Sequence, residues 1–345
     1  MPDGTASGPL VSVLIPIYNR ERYVPGLVRT LAGQTYPRWE AVVVDDGSTD
    51  GTVDALEREA GRDERIRVLR QDHLGGAGFE ATYRRALGEA RGDLVTLLDS
   101  DDTWPPDKLA LQVEDFTRPE VALSFGDYDW IDERDRPIRR VNLARHLPRQ
   151  ALANDPPGVA AWLMAGLAYR TITFPCATVV RRSALERAGG IRALGQVGLV
   201  DFPTFLRLSL EGPFAYHERV LGSWRIHDGA LTTFRRELIA RASYEHAVAF
   251  LREHPQVVRG DATETEERWR AVIERETLAD ALARMGSGEW RDASRTFRRL
   301  ARGGSRIPTR AAAMAGVTAA TLHVDLDPVV RLMRRTREPR VEGNG

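Results

Sequence analysis

The chain has 345 residues, 42% of them hydrophobic, which is enough for one large domain with an appendage or for two domains. Its 49 basic and 49 acidic residues balance, so the overall charge gives no reason to expect a nucleic acid polymer as a partner. The single cysteine, Cys176, excludes an internal disulfide framework and a cysteine-based structural zinc site, and it fits a reducing cytoplasm.

Strands and helices alternate through the first part of the sequence. Short β-branched runs predict buried strands, and apolar residues at helical spacing predict helices between them. The predicted strands are VSVLIPI, WEAVVVDDG, IRVLR and DLVTLLD, and the predicted helices lie in RERYVPGLVRTLAGQ, STDGTVDALEREA and FEATYRRALGEA. This alternation predicts an α/β fold, with a mostly parallel sheet flanked by helices.

Polar side chains gather where these strands end, which is where ligands bind to such sheets. The residues concerned are Pro16, Tyr18 and Asn19, then Asp45 and Asp46, then Asp99, Asp101 and Asp102. Carboxylates this close together would repel one another and raise their own pKa values unless a cation lay among them. Mg²⁺ and Mn²⁺ prefer oxygen ligands and complete their shells with phosphates and water. The acids therefore predict a divalent metal that carries a diphosphate.

Each acidic stretch also has an ordinary structural interpretation. Asp and Ser are common in turns, so DDGSTD is also typical of a turn that caps a helix. The stretch DSDDTWPP is likewise typical of a cap on the helix that Pro105 or Pro106 begins. Turn chemistry alone does not explain why both stretches follow parallel strands, and their co-occurrence favours a ligand site.

These stretches resemble the family 2 glycosyltransferases, which are inverting, nucleotide-sugar-dependent enzymes with the GT-A fold. The resemblance lies in VSVLIPIYNRERYVPGLVRTLAGQTYPRWEAVVVDDGSTDGT and ARGDLVTLLDSDDTWPPDKL, and with later pieces it covers about Val11 to Thr233. It implies that Pro16, Tyr18 and Asp46 line the base pocket. Tyr18 would stack on the base, and Asp46 would accept a hydrogen bond from the ring N–H.

The same resemblance implies the remaining donor and metal contacts. Asp99, in the sequence Asp99-Ser100-Asp101, is expected to approach the ribose, and Asn19 lies in the first donor-binding loop. Asp101 and Asp102 are expected to hold Mn²⁺ or Mg²⁺. Uridine is the favoured base because the pocket resembles one for uracil, and thymidine offers the same ring N–H.

The segment after the third predicted strand departs from the family pattern. Relatives show an Asn-x-Gly motif in this segment and then an Ala-Arg-Asn motif. Here His73 and Gly75 occupy the Asn and Gly positions of the first motif, and the Ala-Arg-Asn motif is absent. Arg84 or Arg85 could replace the missing arginine near the phosphates, but solvated surface charge is the simpler interpretation. Gly76 to Ala81 also fits the G-x-G-x-x-A pattern of a dinucleotide site. It follows the third strand rather than the first, and it leaves the clustered acids without a role.

The second half is predicted to form the acceptor side. The arginine-rich segment from Asp129 to His146 predicts an irregular excursion. The stretch NDPPG predicts an interruption of regular secondary structure. The stretch YRTITFPCATVVRRSALERAGG predicts a strand and then a helix from near Ser183, with Glu186 in a capping box. The stretch GLVDFPTFLRLSLEGPFAY predicts a helix whose first turn holds Asp201.

An inverting transfer needs a general base that takes the proton of the attacking acceptor group. Asp201 matches the family's catalytic Asp, with Val200 where relatives often have Glu, and capping of its helix is the alternative role. GSWRIHDGALTT matches the family's Tyr-Arg-x-His segment. By that likeness His227 would complete the metal shell or touch the diphosphate, and Arg225 is expected to be a structural ion-pair partner.

From Phe234 onward the sequence shows helical patterns only. We predict a disordered 1–10, a GT-A domain over 11–233 (donor half 11–128, acceptor half 129–233), a helical region over 234–335 and a disordered tail over 336–345. The helical region is a candidate homodimer contact. Its one or two hairpin-like repeats are too few for a solenoid. The tail RLMRRTREPR indicates at most peripheral contact with anionic lipid.

The sequence therefore predicts a metal-dependent inverting glycosyltransferase. A UDP-sugar is the favoured donor and a dTDP-sugar the alternative, and the acceptor is a cell-surface glycan, a lipid-linked sugar, a natural product or a peptide. With no signal peptide and no run of roughly 18 apolar residues, we expect a soluble, cytoplasmic protein. A nucleotidyltransferase is one alternative, although it should show a basic glycine-rich loop where this chain has PIYNRERY. A non-catalytic nucleotide-sugar-binding or scaffold protein that has lost activity is the other. The retention of acids and a histidine argues against such a loss; these residues are Asp99, Asp101, Asp102, Asp201 and His227.

Overall fold

The computed structural model describes residues 8–61, 63–75, 78–145, 147–168, 175–227, 236–302 and 307–322. The chain divides into two compact units, one of residues 1–227 with 242–261 and the other of residues 228–241 with 262–345. The first unit contains the sheet. The second is helical throughout its described residues. The domain boundaries predicted from the sequence stay predictions.

Eight strands form one mixed sheet in the first unit. The strands are β1 Val11–Ile17, β2 Trp39–Asp45, β3 Ile66–Arg70, β4 Leu94–Leu97, β5 Leu123–Ile131, β6 Pro137–Val141, β7 Thr178–Arg181 and β8 Phe214–Arg225. Their order is β3-β2-β1-β4-β7-β5-β6, and β8 pairs with β5. The first four strands are parallel, β7 is antiparallel to β4 and β5, and β8 is parallel to β5. The predicted mostly parallel core is confirmed.

Twelve α-helices lie in the described part of the chain. They are α1 Val24–Ala32, α2 Thr52–Ala60, α3 Phe79–Glu89, α4 Lys108–Asp115, α5 Arg149–Ala153, α6 Val159–Ala161, α7 Arg182–Arg187, α8 Asp201–Leu208, α9 Arg236–Glu253, α10 Ala262–Gly286, α11 Trp290–Arg302 and α12 Ile307–Thr321. None of these described helices combines the length and the apolar character that a membrane crossing requires.

The core of the first unit follows from the period of its strands. Alternate residues of β1, from Val11 to Ile17, join one hydrophobic cluster with Leu27 and Leu31 of α1. This is the period of two that places alternate side chains on one face of a sheet. Burying a leucine or valine side chain contributes about 1.5–3 kcal/mol, so this face of β1 and the apolar stripe of α1 stabilise each other.

The segment from Asp129 to His146 was predicted to be irregular, and that prediction is wrong. The strand β5 continues to Ile131, and β6 pairs with it antiparallel, so the segment begins with a hairpin. All of β6 except Val141 is exposed, as expected of a charged edge strand. An exposed edge strand does not alternate between apolar and polar residues. The usual sequence pattern of a strand is therefore absent from β6. His146 lies outside the described residues.

The chain breaks and caps of the second half are partly as predicted. NDPPG does interrupt the helices, with left-handed φ values of 47° at Asn154 and 93° at Gly158. The capping box on α7 is wrong, because Glu186 accepts a hydrogen bond from Arg182 Nε at 2.9 Å instead of reaching the helix N-cap. Asn154 replaces lost backbone bonds, since its side-chain nitrogen donates to the carbonyl of Ser209 at 2.6 Å.

In the second unit, α10, α11 and α12 pack around a small core that contains Phe297 and Leu300. A Cβ at Gly316 would lie 2.6 Å from the Phe297 ring, so α12 can approach α11 this closely only with glycine at that position. The helical character predicted for this region is confirmed over the described residues.

Candidate active site

The ends of β1, β2 and β4 bring the predicted site residues to one edge of the sheet. Ile17 pairs with Asp45 in register, and the next amide, that of Asp46, donates to the Ile17 carbonyl at 2.9 Å. The strand β4 lies on the other side of β1, and Leu98 N donates to Leu14 O at 3.1 Å. The loop after each strand therefore starts at the same edge.

The loops after β1 and β2 are tied together by Asn19. Its backbone φ is 49°, its amide donates to Ser48 Oγ at 2.9 Å, and its side-chain oxygen accepts from Thr49 N at 2.8 Å. These bonds engage Asn19 within the protein and set the position of its neighbour Tyr18. The donor contact predicted for Asn19 stays a prediction.

The predicted base pocket contains Tyr18 and Asp46, and the structure adds His73 to it. Asp46 Oδ1 accepts from Gln71 Nε2 at 2.7 Å and from Leu74 N at 3.1 Å. The His73 ring stacks on Tyr18 with 3.9 Å between the ring centroids and 17° between the planes. His73 Nδ1 also lies 2.9 Å from Asp46 Oδ2. The imidazole thus stacks on Tyr18 and contacts Asp46, which are the two contacts that the family resemblance assigns to the nucleotide base.

The turn after Asp46 is built so that His73 can approach. Gly47 has a φ of 74°, and a Cβ there would lie 2.8 Å from the His73 amide nitrogen. A side chain at position 47 would push the two loops apart. Pro16, the remaining residue of the predicted pocket, is buried in β1 and pairs with Val44.

Three carboxylates follow β4, and each has a different polar contact. Asp99 Oδ1 accepts from the Tyr83 hydroxyl at 2.8 Å, and Asp102 Oδ1 accepts from the Arg225 amide at 3.0 Å. Asp101 Oδ2 lies 2.7 Å from His227 Nε2. Ser100, between the first two acids, is buried.

The acids influence one another as the sequence predicts for clustered carboxylates. Burial, together with the negative charge of Asp101, raises the pKa of Asp99 to about 7. Burial also raises the pKa of Asp102, and the charges of Asp101 and Asp99 add to the effect. These carboxyl groups therefore resist losing their protons together, as expected of acids crowded at one edge of the sheet.

The strand β8 delivers His227 to this cluster. Thr103 and Ser223 exchange backbone hydrogen bonds of 3.2 and 2.9 Å, which holds the end of β8 against the loop after β4. Arg225 has the structural role that we expected. Its guanidinium donates to Asp101 O and Asp132 O, both at 2.7 Å, and pairs with Asp135 at 2.5 Å.

Asp201 is the first residue of α8 and is buried. The N-cap position belongs to Val200, which makes no side-chain capping bond, so the helix-capping alternative for Asp201 is wrong. The charge of Asp201 contributes to the raised pKa of Asp99, which places Asp201 within electrostatic reach of the cluster. The predicted position in the first turn of a helix is confirmed.

Neither arginine considered for the phosphates lies free at the site. Arg84 forms an exposed pair with Glu80 on its own helix, at 3.6 Å. Arg85 donates to the Arg70 carbonyl at 3.0 Å and to the Gln71 side chain at 3.2 Å. Both contacts support the interpretation of these residues as surface charge.

The metal prediction can be tested against this geometry. Within the described part of the chain, no three or more His, Cys, Asp or Glu side chains are arranged to hold a metal ion by themselves. Mg²⁺ and Mn²⁺ commonly need only one or two carboxylates when substrate phosphates complete the shell. A divalent cation would relieve the repulsion that raises the pKa values of Asp99 and Asp102. Asp101 and Asp102, with His227 beside them, therefore fit such a cation.

A buried lysine lies behind the acids, and sequence reasoning gave it no role. Lys108 is fully buried, and its Nζ donates to Gln112 Oε1 at 2.7 Å and to Thr178 O at 3.0 Å. The ammonium also lies 4.3 Å from the Trp104 ring centroid. Burial, together with the charge of Asp102, raises the pKa of the nearby Cys176 thiol. Burial lowers the pKa of Lys108 to about 7.

Replacing this lysine is expected to change how stability depends on pH. The folded-state pKa of Lys108 is about 7 and its ordinary value is 10.5, so above pH 7 the unfolded chain holds a proton that the folded chain has lost. The free energy of unfolding of the wild type should therefore rise by up to about 1.4 kcal/mol per pH unit relative to Lys108→Met. Denaturant unfolding of both proteins at several pH values between about 7 and 9.5 measures this difference. Parallel curves would contradict the buried, deprotonated lysine.

Comparisons with known proteins bear on the same residues. The family model described as "Glycosyl transferase family 2" matches residues 12–187. TuaG of Bacillus subtilis, a glycosyltransferase named for teichuronic acid biosynthesis, is 31% identical over 226 residues, which is 65% of this chain and 82% of TuaG. WfaP of Escherichia coli, a UDP-Glc:alpha-D-GlcNAc-diphosphoundecaprenol beta-1,3-glucosyltransferase, is 26% identical over 248 residues, which is 71% of this chain and 89% of WfaP.

A solved structure supports the fold independently. It is the mannosyltransferase PcManGT from Pyrobaculum calidifontis in complex with GDP-Man and Mn²⁺. It is 21% identical, with a TM-score of 0.53, and the similarity covers 96% of this chain and 89% of PcManGT. At this level of identity the likeness is one of fold, and it confirms the predicted GT-A class.

Proposed function

Since the chain belongs to glycosyl transferase family 2, we propose that it transfers a sugar from a UDP-sugar to a lipid-linked acceptor, with inversion and with Mn²⁺ or Mg²⁺. Its class, a glycosyltransferase that uses nucleotide sugars, follows from the family itself. The observation that carries the proposal is that Asp46, Asp99 and Asp101 follow strands at one edge of the sheet, and that the charge of Asp201 acts on Asp99. The predicted cytoplasmic location and homodimer contact stay predictions.

The donor assignment rests on Tyr18 and Asp46. A uracil ring can stack on the Tyr18 ring while its N–H donates to the Asp46 carboxylate, and the same ring N–H in thymine makes a dTDP-sugar the alternative. Asp99 and Ser100 follow β4 at the same edge of the sheet and would approach the ribose. The name of WfaP, which states UDP-Glc as the donor, supports the uridine choice.

Asp101 and Asp102 would hold the divalent cation, next to His227. When bound, such a cation neutralises the charge that develops on the departing diphosphate. The tie between Thr103 and Ser223 keeps these side chains together, so the diphosphate would meet a site that is already assembled. Arg225 supports the same loop from behind through the Asp101 carbonyl.

Asp201 is the proposed general base. Its carboxylate takes the proton from the acceptor hydroxyl as that oxygen attacks the anomeric carbon. The new carbon–oxygen bond forms while the bond between the anomeric carbon and the phosphate oxygen breaks, and UDP leaves. An α-linked donor therefore gives a β-linked product, and no covalent glycosyl-enzyme forms.

The acceptor proposal comes from the relatives. WfaP is named for an acceptor sugar on diphosphoundecaprenol, and TuaG is named for the biosynthesis of a cell-surface polymer. Both names point to glycan assembly, and we therefore place a lipid-linked sugar ahead of a natural product or a peptide.

A transfer assay tests this proposal. The protein is incubated with Mn²⁺, UDP-glucose and a short-chain lipid diphosphate that carries α-linked N-acetylglucosamine, and the products are analysed by mass spectrometry and proton NMR. We expect a β-linked disaccharide on the lipid. An α-linked product would contradict inversion. Transfer to a peptide or a free aglycone, with none to the lipid-linked sugar, would contradict the acceptor class.

The stacked imidazole gives a prediction about donor affinity. The 3.9 Å between the Tyr18 and His73 rings leaves no room for a base between them, so a base that stacks on this face of Tyr18 must displace His73. Removing the competing ring in His73→Ala should strengthen UDP binding several-fold, by roughly the 0.5–1.5 kcal/mol of an aromatic pair. Titration calorimetry with UDP measures the change, and Tyr18→Ala, which should weaken binding, is the control. Weaker binding by His73→Ala would show that His73 supports the base.

A further inference from the structure

The exposed side of α11 carries an unusual concentration of arginine. Ala293, Phe297 and Leu300 are buried on one side of this helix. The arginine face, which lies opposite, consists of Arg291, Arg295, Arg298, Arg299 and Arg302, all of them exposed. At 100° per residue these five positions fall within an arc of about 100°, and they extend over about 16 Å of the helix.

Of the helices α10, α11 and α12, α11 carries the largest net positive charge. Against five arginines, α11 has a single acidic residue, Asp292. The neighbouring α10 has six acidic residues and four arginines, so it carries the opposite net charge. The near-neutral composition of the whole chain thus hides a strongly basic surface on the second unit.

Pairing within the protein neutralises only part of this face. Arg295 pairs with Asp292, and Arg299 pairs with Glu237 at 2.5 Å. For Arg291, Arg298 and Arg302 the described part of the chain offers no acidic side chain within ion-pair distance. Within the described residues, these three guanidinium groups are therefore not neutralised by an acidic side chain.

Ordinary helix electrostatics explains only some of these arginines. Cations near a helix C-terminus are favourable, and this accounts for Arg298, Arg299 and Arg302 in the last turns of α11. Arg291 lies in the first turn, where the helix dipole disfavours a cation. Five like charges on one face also repel one another. The arrangement costs helix stability, and helix stability is therefore not a sufficient reason for it.

The helix next to α11 adds apolar groups to the same unit. Among the described residues, the most exposed large hydrophobic side chains are Met314, at 62%, and Leu322, at 67%. Met314 lies within α12 and Leu322 directly follows it. A basic helix face with exposed apolar side chains on an adjoining helix is the composition of surfaces that bind to membrane interfaces.

We propose that the arginine face of α11 docks onto the anionic headgroups of a lipid bilayer. A row of guanidinium groups complements phosphate oxygens, to which arginine binds with several parallel hydrogen bonds. The bilayer offers these phosphates as an extended plane, which suits a face about 16 Å long. Docking would add a membrane-binding function to the second unit. Docking also adds to the proposal of a lipid-linked acceptor made above, because it would keep the enzyme at the membrane surface where such an acceptor lies.

Vesicle flotation with the full chain tests the docking and needs no substrate. The probes are vesicles of phosphatidylcholine alone and vesicles with about 30% phosphatidylglycerol, at moderate salt. We expect binding to the anionic vesicles only, weakening as salt rises. The triple variant Arg291→Gln, Arg298→Gln, Arg302→Gln should bind roughly a hundredfold more weakly, because each basic residue near an anionic surface contributes to binding.

The matched control is the triple variant Arg29→Gln, Arg58→Gln, Arg252→Gln. These arginines are exposed on α1, α2 and α9, and the net charge changes by the same amount. The control should bind as the wild type does, and melting temperatures establish that both variants fold. Equal loss in both variants would show that net charge alone acts, and unchanged binding by the α11 variant would overturn the proposal. Binding to a soluble anionic polysaccharide but not to vesicles would replace the membrane with a glycan partner.

The membrane proposal and the proposed reaction fail separately. Vesicle binding does not require turnover, and the transfer assay uses a short-chain acceptor that needs no bilayer. A protein that transfers sugar but ignores anionic vesicles would refute the docking alone. A protein that floats with vesicles but transfers nothing would refute the reaction alone.

Discussion

Asp201→Asn is expected to lower the rate of sugar transfer by about 10²–10⁴-fold while leaving UDP affinity unchanged. Asparagine has the size of aspartate but cannot take a proton from the acceptor hydroxyl. Asp201 is buried at the start of α8, one residue after the N-cap position, and the exchange removes its charge while keeping the size of the side chain. Initial rates at saturating donor, with UDP affinity from calorimetry, measure the two effects separately.

Asp54→Asn is the matched control for this exchange. Asp54 also lies in the first turn of a helix, α2, but it is exposed and remote from β4 in the sequence. The control should retain full activity. If Asp201→Asn transfers sugar at the wild-type rate, another group is the base. If it instead loses UDP affinity in proportion to the rate, Asp201 shapes the donor site.

Asp101→Asn is expected to remove Mn²⁺-dependent turnover, with a loss of about 10³-fold or more. A loss in rate of this size is expected because a Lewis-acid metal supplies several kcal/mol of transition-state stabilisation. Asp101 is preferred to Asp102 for this test, since Asp102 accepts the Arg225 amide and its loss would also disturb β8. UDP release from UDP-glucose, measured over a range of Mn²⁺ concentrations, gives the metal dependence.

The control for Asp101→Asn is Asp93→Asn. Asp93 immediately precedes β4 and is exposed, at the opposite end of the strand from the acid cluster. It should leave both the rate and its metal dependence unchanged. Wild-type turnover that persists in a strong chelator would show that the acids do not act through a metal. A variant that needs no more Mn²⁺ than the wild type would show that Asp101 is not a ligand.

The part of the fold that could be predicted is the part whose strands coincide with short runs of apolar, β-branched residues. The strands β1 and β3 have the predicted bounds, because β-branched runs between turn residues have few alternatives there. The strand β6 is almost fully exposed, and β8 alternates irregularly between buried and exposed positions. Neither carries an apolar period. The antiparallel insertion of β7 between β4 and β5 depends on packing that no local pattern encodes.

The candidate active site was likewise predictable from the sequence only in part. Asp46 and Asp99 follow from strand ends in a parallel sheet, which is a rule of topology. Asp101 and His227 are 126 residues apart, and their contact was expected only through the family resemblance. The contacts of Tyr83 with Asp99 and of His73 with Tyr18 depend on how helices and loops pack, and no sequence signal marked either of them.

A thermal-shift panel tests the proposed nucleotide–metal site most directly. The panel contains UDP, GDP, dTDP and CMP, each with and without Mn²⁺, and it is run on the wild type and on Asp101→Asn. A ligand that binds only the folded state raises the melting temperature. We expect a rise in melting temperature that is selective for UDP, depends on Mn²⁺ and is lost in the variant. If no nucleotide raises the melting temperature under either condition, the carboxylates at this edge are not a nucleotide–metal site, and the proposed reaction is wrong.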